Sequence, residues 1–393
     1  MITPIYLDHL ASTPLDPLVL DAMLPWFTPG AAGNPHAAHA AGWRAADAID
    51  AARAEVAALV GARPGEVIFT SGATEANMLA LFGAIPPGSP CLVSAVEHAS
   101  VLGCLPELRR RGHRTAAIAV DADGRIDLTA LQWALERALE GAGPDGGAPL
   151  VSVMAANNEV GTLQPLAEVA ALCQRFGALL HSDAVQILST RPFDRNALGV
   201  DLLSLSGHKL HGPMGIGALI LRDGVPLTPP SEGGGQQRGR RPGTLPTPLC
   251  VGLGAACRLA RLRAEEDGRR IAALRDRLWA VLSAALPAIR RNGAADGLAG
   301  CLNVTIPGID AADLLLDLPG LALATGSACR SGAESGAAGP SPVLLAMGRT
   351  AADAHASLRF GLGRTTSWTD LDQAAAQLVA AVTARGAEPQ GRP

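Results

Sequence analysis

Lys209 is the residue that most suggests covalent chemistry in this sequence. It follows the short apolar run 201–203, which is typical of a buried strand, and lies in the segment SLSGHKLHGP among hydroxyl-bearing and imidazole neighbours. A lysine desolvated at the end of such a strand has a lowered pKa and becomes a candidate Schiff-base nucleophile. These ten residues alone would favour an ordinary surface lysine, so the rest of the chain must decide.

Three further polar groups follow predicted strands. His98 comes after a strand over 91–96, Asn158 after a strand over 150–154, and Asp183 ends an apolar run within 178–186. Strands alternating with helices predict an α/β fold with a mostly parallel, doubly wound sheet, whose ligands bind at the carboxyl ends of the strands. Each residue taken singly is an ordinary loop group, but their common position favours a shared site.

A turn of small residues links the predicted strand 67–70 to a helix that runs to about residue 83. In Ser71–Thr74, backbone N–H groups at the helix N-terminus and two hydroxyls form a possible phosphate cradle. The alternative is an ordinary helix cap made by Ser71 or Thr74. The turn matches neither the Walker nor the Rossmann glycine pattern.

Composition excludes several classes of protein. The chain has 393 residues, of which 48% are hydrophobic and 17% charged, with a formal net charge of −4. No basic stripe indicates nucleic-acid binding, and no apolar run reaches membrane-spanning length. The first residues lack a signal-peptide pattern, so we expect a soluble cytoplasmic protein. The seven cysteines form neither a disulfide framework nor a zinc motif, and we expect no metal.

Together the polar groups meet the requirements of pyridoxal 5′-phosphate. This cofactor needs a Schiff-base lysine, an anion opposite its pyridinium nitrogen, a phosphate site and, usefully, a group stacked on its ring. Lys209, Asp183, the 72–74 turn and His98 supply these four in that order.

Ten motifs in order along the chain resemble one enzyme family. They are YLDHLASTP, NPHAAHAAG, FTSGATEAN, VEHASV, MAANNEVGTLQP, HSDAVQ, SLSGHKLHGPMGIGAL, GGGQQRGRRPGT, ATGSACRSG and SLRFGLGRTT. They resemble the cysteine desulfurases of the NifS/IscS type, which are fold-type I pyridoxal-phosphate enzymes of the class V aminotransferase family. The resemblance implies a large domain with a seven-stranded, mostly parallel sheet and a smaller α+β C-terminal domain.

The resemblance also implies roles around the cofactor ring. Lys209 would hold the cofactor as a Schiff base and later move protons on the substrate carbons. Asp183 would pair with the pyridine nitrogen, and Gln186 would bond the ring hydroxyl. His98 would stack on the ring and assist proton transfer.

Phosphate and substrate contacts follow from the same resemblance. The cofactor phosphate would be held by Ala73, Thr74, Ser206 and His208. Thr244 would reach the phosphate of the other subunit's cofactor, which makes the active unit a homodimer. Asn158, next to the cofactor, and Arg359 would face the carboxylate of L-cysteine, Arg359 as a bidentate clamp.

Cys329 is the candidate nucleophile for sulfur. It lies in a stretch of about 325–342 that is rich in Gly, Ala, Ser and Pro, which predicts a mobile loop, and Arg330 beside it favours the thiolate. The resemblance implies that L-cysteine becomes L-alanine while its sulfur stays on Cys329 as a persulfide. The sulfur would then pass to an acceptor or scaffold protein for iron–sulfur cluster assembly or for thiolation of tRNA or a cofactor.

The predicted domain division places residues 15–260 in the large domain and residues 1–14 and 261–393 in the small one. One or two long helices over 248–289 would connect them. Four positions depart from the family pattern: His9-Leu10 replaces Asn-Ala, Gln237 replaces glutamate and Pro242 replaces serine. Open alternatives are selenocysteine lysis, transamination, and a catalytically silent scaffold for sulfur-transfer partners.

Overall fold

A computed structural model describes residues 4–140, 147–325 and 339–386. The strands are β1 Ile5–Tyr6, β2 Val67–Thr70, β3 Cys91–Ser94, β4 Thr115–Ile118, β5 Leu150–Ser152, β6 Leu179–Asp183, β7 Leu202–Ser206, β8 Gly217–Leu221, β9 Arg290–Asn292, β10 Cys301–Thr305, β11 Leu321–Ala322, β12 Ala324–Thr325 and β13 Ser357–Gly361. The α-helices are α1 Pro17–Met23, α2 Ala40–Leu59, α3 Ala73–Gly83, α4 Ala99–Leu102, α5 Leu105–Arg110, α6 Leu128–Glu140, α7 Leu166–Arg175, α8 Thr247–Ala285, α9 Ala311–Leu316, α10 Pro342–Ala346, α11 Ala351–His355 and α12 Trp368–Gly386.

The main sheet has seven strands in the order β2-β8-β7-β6-β5-β3-β4. The strands β4, β3, β5, β6 and β7 pair in parallel, whereas β8 runs antiparallel to both of its neighbours. The prediction of a mostly parallel α/β sheet is therefore confirmed. Its carboxyl edge brings together the segments that follow β3, β5, β6 and β7.

The central strands β5 and β7 are buried along their whole length because helices cover both faces of the sheet. Leu202, Leu203 and Leu205 of β7 are fully buried, as are Leu150 and Val151 of β5. Hydrophobic clusters on the two sides of the sheet bury these side chains. Strands fixed in this way cannot slip in register, so their last residues are held in defined positions.

The long helix α8 connects the sheet to the rest of the chain. It is a single helix of 39 residues, Thr247–Ala285, with a proline in its first turn. It packs closely against α2, since a Cβ atom added at Gly254 would lie 2.6 Å from the Cα atom of Ala52. Its later turns bury Ile271, Leu274 and Leu278 in a second core.

A second, antiparallel sheet has the order β12-β13-β10-β9, and β1 pairs in parallel with β11. Residues 321–325 form two short strands. Leu323 separates them, so that β11 joins β1 while β12 joins β13. The second core contains Leu7, the later turns of α8 and residues that follow α8. The division into two domains stays a prediction.

No helix among residues 4–140, 147–325 and 339–386 is both long enough and apolar enough to cross a membrane.

Candidate active site

A cavity of about 560 Å³ opens at the carboxyl edge of the seven-stranded sheet. Most of the residues predicted to bind the cofactor line it, namely Ala73, Thr74, His98, Asn158, Asp183, Gln186, Ser206, His208 and Lys209. Two predicted site residues do not, since Arg359 is buried away from the cavity surface and Thr244 is exposed to solvent. Cys329 lies outside the described residues.

Lys209 ends a one-turn 3-10 helix that follows β7 directly. Its Nζ donates a hydrogen bond to the carbonyl oxygen of Leu10, and the same oxygen accepts from Nε2 of Gln186 at 3.0 Å. The N-terminal segment therefore holds Lys209 and Gln186 side by side on one wall of the cavity.

Asp183 is the last residue of β6 and is only 6% exposed. Its Oδ1 accepts from the amide of Val185 at 3.0 Å, and its Oδ2 accepts from Nδ2 of Asn77 at 2.8 Å. Within the described part of the chain, no lysine or arginine forms an ion pair with it. A buried carboxylate is costly without a cationic partner, so Asp183 faces the cavity ready for one.

Glu97 is a second buried carboxyl group in this region, and sequence reasoning missed it. Its Oε1 accepts from the amide of Met154 at 2.5 Å, while its Oε2 has no partner among the described residues. Burial, and secondarily the charge of Asp183, raise the pKa of Glu97 well above its usual range. Burial therefore disfavours the ionised form of Glu97.

The two histidines of the cavity are neutral near pH 7. Burial lowers the pKa of His98; the nearby Lys209 acts in the same direction and Asp183 in the opposite one. Burial, with a further contribution from Lys209, lowers the pKa of His208 to about 4. Nδ1 of His208 lies 3.3 Å from Oγ of Ser12. Either imidazole can thus donate an N–H to an anion without adding positive charge.

The predicted phosphate turn starts α3, and Gly72 is its N-cap residue. Neither Ser71 nor Thr74 caps the helix through its side chain. The turn is therefore not the ordinary helix cap that was the alternative interpretation. The first turn of a helix leaves its amides without intrahelical partners. The amides of the first turn at Ala73 and Thr74 therefore lie at the cavity wall and fit a phosphate.

Strand β8 and a salt bridge hold this turn in place. A Cβ atom added at Gly217 would lie 2.8 Å from the Cα atom of Gly72, so only glycine allows the close approach. Glu75 accepts from the amide of Ser71 at 2.6 Å and pairs with Arg241 through two contacts of 2.7 and 3.2 Å. Arg241 thereby ties the segment that carries Thr244 to the cradle.

The glutamine at position 237, where the family pattern has glutamate, has a structural reason. Its Oε1 accepts from the amide of Phe69 at 2.7 Å, and its Nε2 donates to the carbonyl of Phe69 at 2.8 Å. A glutamate has no N–H and could make only the first of these bonds. Gln237 therefore pairs with the edge strand β2 as a backbone would.

The two residues predicted to face the substrate carboxylate lie in different parts of the fold. Asn158 lines the cavity, and its carbonyl accepts from Nη1 of Arg359 at 2.8 Å. Nη2 of Arg359 donates to Oδ1 of Asp8 at 2.8 Å, and its Nε has no partner within the described ranges. Arg359, which belongs to the second sheet, therefore lies next to Asn158 but not on the cavity surface.

The cysteines within the described ranges lack the exposure and the lowered pKa of a reactive thiol. Cys91, Cys104, Cys173, Cys250, Cys257 and Cys301 are all buried and unbridged. Burial raises the pKa of each thiol, for example to about 11 at Cys104 and about 12 at Cys173. Within the same ranges, no group of three or more His, Cys, Asp or Glu side chains is arranged to hold a metal ion.

The arrangement fits pyridoxal phosphate on three independent observations. An amine at Lys209 suits the aldehyde, the buried Asp183 without a cation suits a protonated pyridine nitrogen, and the start of α3 suits the phosphate. The sequence alone did not identify Asn77, Glu97 and Ser100 as residues near the site. Before the fold is known, each looks like an ordinary helix or loop residue.

Comparisons with known proteins agree with this geometry. Residues 5–373 match the family model for aminotransferase class-V. A relative from Trachipleistophora hominis named cysteine desulfurase, mitosomal, is 42% identical over 96% of this chain and 86% of its own length. A relative from Rickettsia bellii named cysteine desulfurase IscS is 41% identical over 95% of this chain and 90% of its own length.

Solved structures give the same result. One described as a NifS-like protein superimposes with a TM-score of 0.86 at 30% identity, covering 97% of this chain and 100% of the other. Another, described as SspA in complex with cysteine, has a TM-score of 0.77 at 32% identity over 91% of this chain and 98% of its own. This chain therefore belongs to the class-V aminotransferase family and, within it, to the cysteine desulfurases.

Proposed function

We propose that this protein is a pyridoxal-phosphate-dependent cysteine desulfurase that converts L-cysteine to L-alanine and keeps the sulfur as a persulfide on Cys329. The observation that carries the proposal is the single cavity that combines Lys209, the buried Asp183 and the first turn of α3. Similarity to relatives that are named cysteine desulfurases supports L-cysteine as the substrate.

When bound, pyridoxal phosphate supplies an electron sink that stabilises negative charge at the substrate α-carbon. In our proposal Lys209 removes the α-proton and returns protons to the product carbons. Asp183 keeps the pyridine nitrogen protonated. Arg359 and Asn158 orient the substrate carboxylate. His98 would stack on the ring and assist proton transfer.

The sulfur transfer balances without an added oxidant. The thiolate of Cys329 attacks the sulfur of the substrate and forms an S–S bond. The C–S bond of the substrate breaks, and its electron pair stays with the carbon fragment, which takes up protons to become alanine. Cys329 suits this step because the six buried thiols have raised pKa values, whereas the sequence places Arg330 beside Cys329.

The test compares two cysteine-to-alanine variants. Cys329→Ala should bind pyridoxal phosphate normally and release no alanine above background, whereas Cys173→Ala, which removes a buried thiol of α7, should keep full activity. Mass spectrometry of the parent protein, given L-cysteine without reductant, should find one extra sulfur atom on the peptide that contains residue 329. Alanine formation by Cys329→Ala at the parental rate, or a requirement for a keto acid, would overturn the proposal in favour of another class V reaction.

Homodimeric assembly is part of the same proposal. Thr244 is exposed and does not line the cavity of its own chain, while Arg241 fixes its segment to Glu75. A partner subunit's cofactor is the group that Thr244 would reach. Delivery of sulfur to iron–sulfur cluster assembly or to tRNA or cofactor thiolation, and a cytoplasmic location, are the finer parts of this proposal. Sulfur transfer to purified acceptor proteins would test the first.

A further inference from the structure

Asn77 connects two elements of the cavity wall from behind. It lies on α3, is fully buried, and donates from Nδ2 to Oδ2 of Asp183 at 2.8 Å and to Oγ of Ser100 at 2.9 Å. The orientation of the amide is fixed by chemistry, because a carboxylate only accepts hydrogen bonds and the amide oxygen cannot face it. The strand end at β6 and the start of α4 are therefore joined through one side chain.

Ser100 continues this connection to His98. Its Oγ lies 2.8 Å from Nδ1 of His98, and its backbone N–H donates to the same nitrogen at 3.1 Å. Since Asn77 donates to the serine oxygen, the hydroxyl hydrogen of Ser100 is left to point at the ring. Two donors thus converge on Nδ1, which must be unprotonated, and the ring proton lies on Nε2.

We propose that Asn77 and Ser100 are positioning residues that hold His98 as the neutral Nε2–H tautomer and link its state to the carboxylate of Asp183. The proposal rests on the proposed function for the role of His98 in catalysis. The chain of hydrogen bonds itself is a property of this structure alone. It goes beyond the roles assigned above, because Asn77 does not line the cavity and the hydroxyl of Ser100 has been given no role in binding cofactor or substrate.

The surroundings of His98 act in the same direction as the two donors. Burial and the cation of Lys209 lower its pKa, and Asp183 opposes them. A cationic His98 would carry a proton on Nδ1 that faces two N–H or O–H donors. Removing the hydroxyl of Ser100 takes away one of these donors, and the pKa of His98 then rises.

The test is Ser100→Ala in the cofactor-loaded protein with ¹⁵N-labelled histidine, followed by NMR across a pH titration. The nitrogen signals report the protonation of Nδ1 and Nε2 separately, and a His98→Gln variant assigns them. We expect the pKa of His98 to rise by about half to one pH unit, as the loss of one hydrogen bond of ordinary strength predicts. The acid limb of kcat against pH should move by the same amount while KM is unchanged.

Matched variants separate positioning from a general loss of packing. Ser182→Ala removes a buried hydroxyl that has no hydrogen-bond partner among the described residues and is next to Asp183 in sequence, and it should leave the titration unchanged. Ser100→Thr keeps the hydroxyl and should restore the parental pKa. Asn77→Ala should also raise the pKa of His98, because the serine hydroxyl is then free to turn away.

Two outcomes would overturn the proposal. One is a titration of His98 in Ser100→Ala that coincides with the parent, and the other is an equal shift in Ser182→Ala. The NMR measurement needs no turnover of cysteine, so a failure of the proposed function would be recognised separately by the absence of alanine.

Discussion

The two ends of the seven-stranded sheet each carry a buried carboxylate, but only one of these carboxylates is paired with a cation of the described chain. At the amino end, Glu66 precedes β2 and pairs with Arg195 at 2.6 Å, with both side chains almost fully buried. At the carboxyl end, Asp183 is equally withdrawn from solvent, but no cation within the described residues pairs with it. A charge satisfied inside the chain serves stability, whereas a charge left for a ligand serves binding.

The largest effect is expected at the carboxyl end, at Lys209. Lys209→Ala removes the amine proposed to attach the cofactor, so the visible absorbance of the bound cofactor and all alanine formation should be lost. Circular dichroism should show an unchanged fold, since Lys209 contributes a hydrogen bond to Leu10 but no core packing. Turnover of cysteine at the parental rate would rule out Lys209 as the attachment site.

Asp183→Asn is expected to be the next largest. The amide has the same size and can still accept from Val185, but it carries no charge to keep the pyridine nitrogen protonated. Exchange of the substrate α-hydrogen with solvent should slow by a factor on the order of a hundred or more, since removal of a single catalytic electrostatic contact commonly has that effect. Asp201→Asn, at the amino end of β7, is the control and should leave the exchange rate unchanged. An unchanged rate in Asp183→Asn would contradict the assigned role.

How far the sequence could predict this site depends on which end and which sheet is considered. Strand ends are marked by apolar runs that stop at a polar residue, so His98, Asn158, Asp183 and Lys209 could be grouped before the fold was known. Arg359 lies within the fully buried strand β13, and no spacing rule connects it to residue 158. Only the resemblance to known enzymes assigned it a role.

Long-range side-chain contacts were beyond sequence reasoning for the same physical reason. Asn77 meets Asp183 across 106 positions, and Gln237 meets Phe69 across 168. Helical or strand periodicity is a local property, so it cannot identify such partners.

Arg359→Lys should have a moderate effect that is confined to substrate binding. Arg359 donates to Asn158 and Asp8 with two arms of its guanidinium, and a lysine cannot reproduce this fork. The KM for cysteine should rise about 10- to 100-fold, the range for losing a charge-assisted hydrogen bond, with a smaller change in kcat. Arg195→Lys, an equally buried arginine at the amino end, should leave KM unchanged. Equal KM effects in the two variants would show that Arg359 acts through the fold alone.

The smallest effect on activity, but a clear one on stability, is expected at Glu66. Burial by itself raises the pKa of Glu66, but hydrogen bonds from the amides of Arg63 and Asp223 and from Arg195 outweigh it and bring the pKa to about 2, from a usual 4.5. The lowered pKa means that the ionised form is stabilised by folding. Its contribution is complete above about pH 5 and is lost as the pH falls towards 2, amounting to about 3 kcal/mol.

Urea unfolding of the parent and of Glu66→Gln at several pH values measures this contribution. At pH 7 the variant leaves Arg195 buried without its partner and should be less stable by about 3–5 kcal/mol, whereas at pH 3 the gap should narrow. The activity per folded molecule should not change, because Glu66 lies at the end of the sheet away from the cavity. Asp372→Asn, which breaks the exposed pair with Arg277, is the control and should cost at most about 1 kcal/mol at any pH. A gap between parent and Glu66→Gln that stayed constant from pH 7 to pH 3 would mean that the Glu66 charge does not contribute to folding as its contacts indicate.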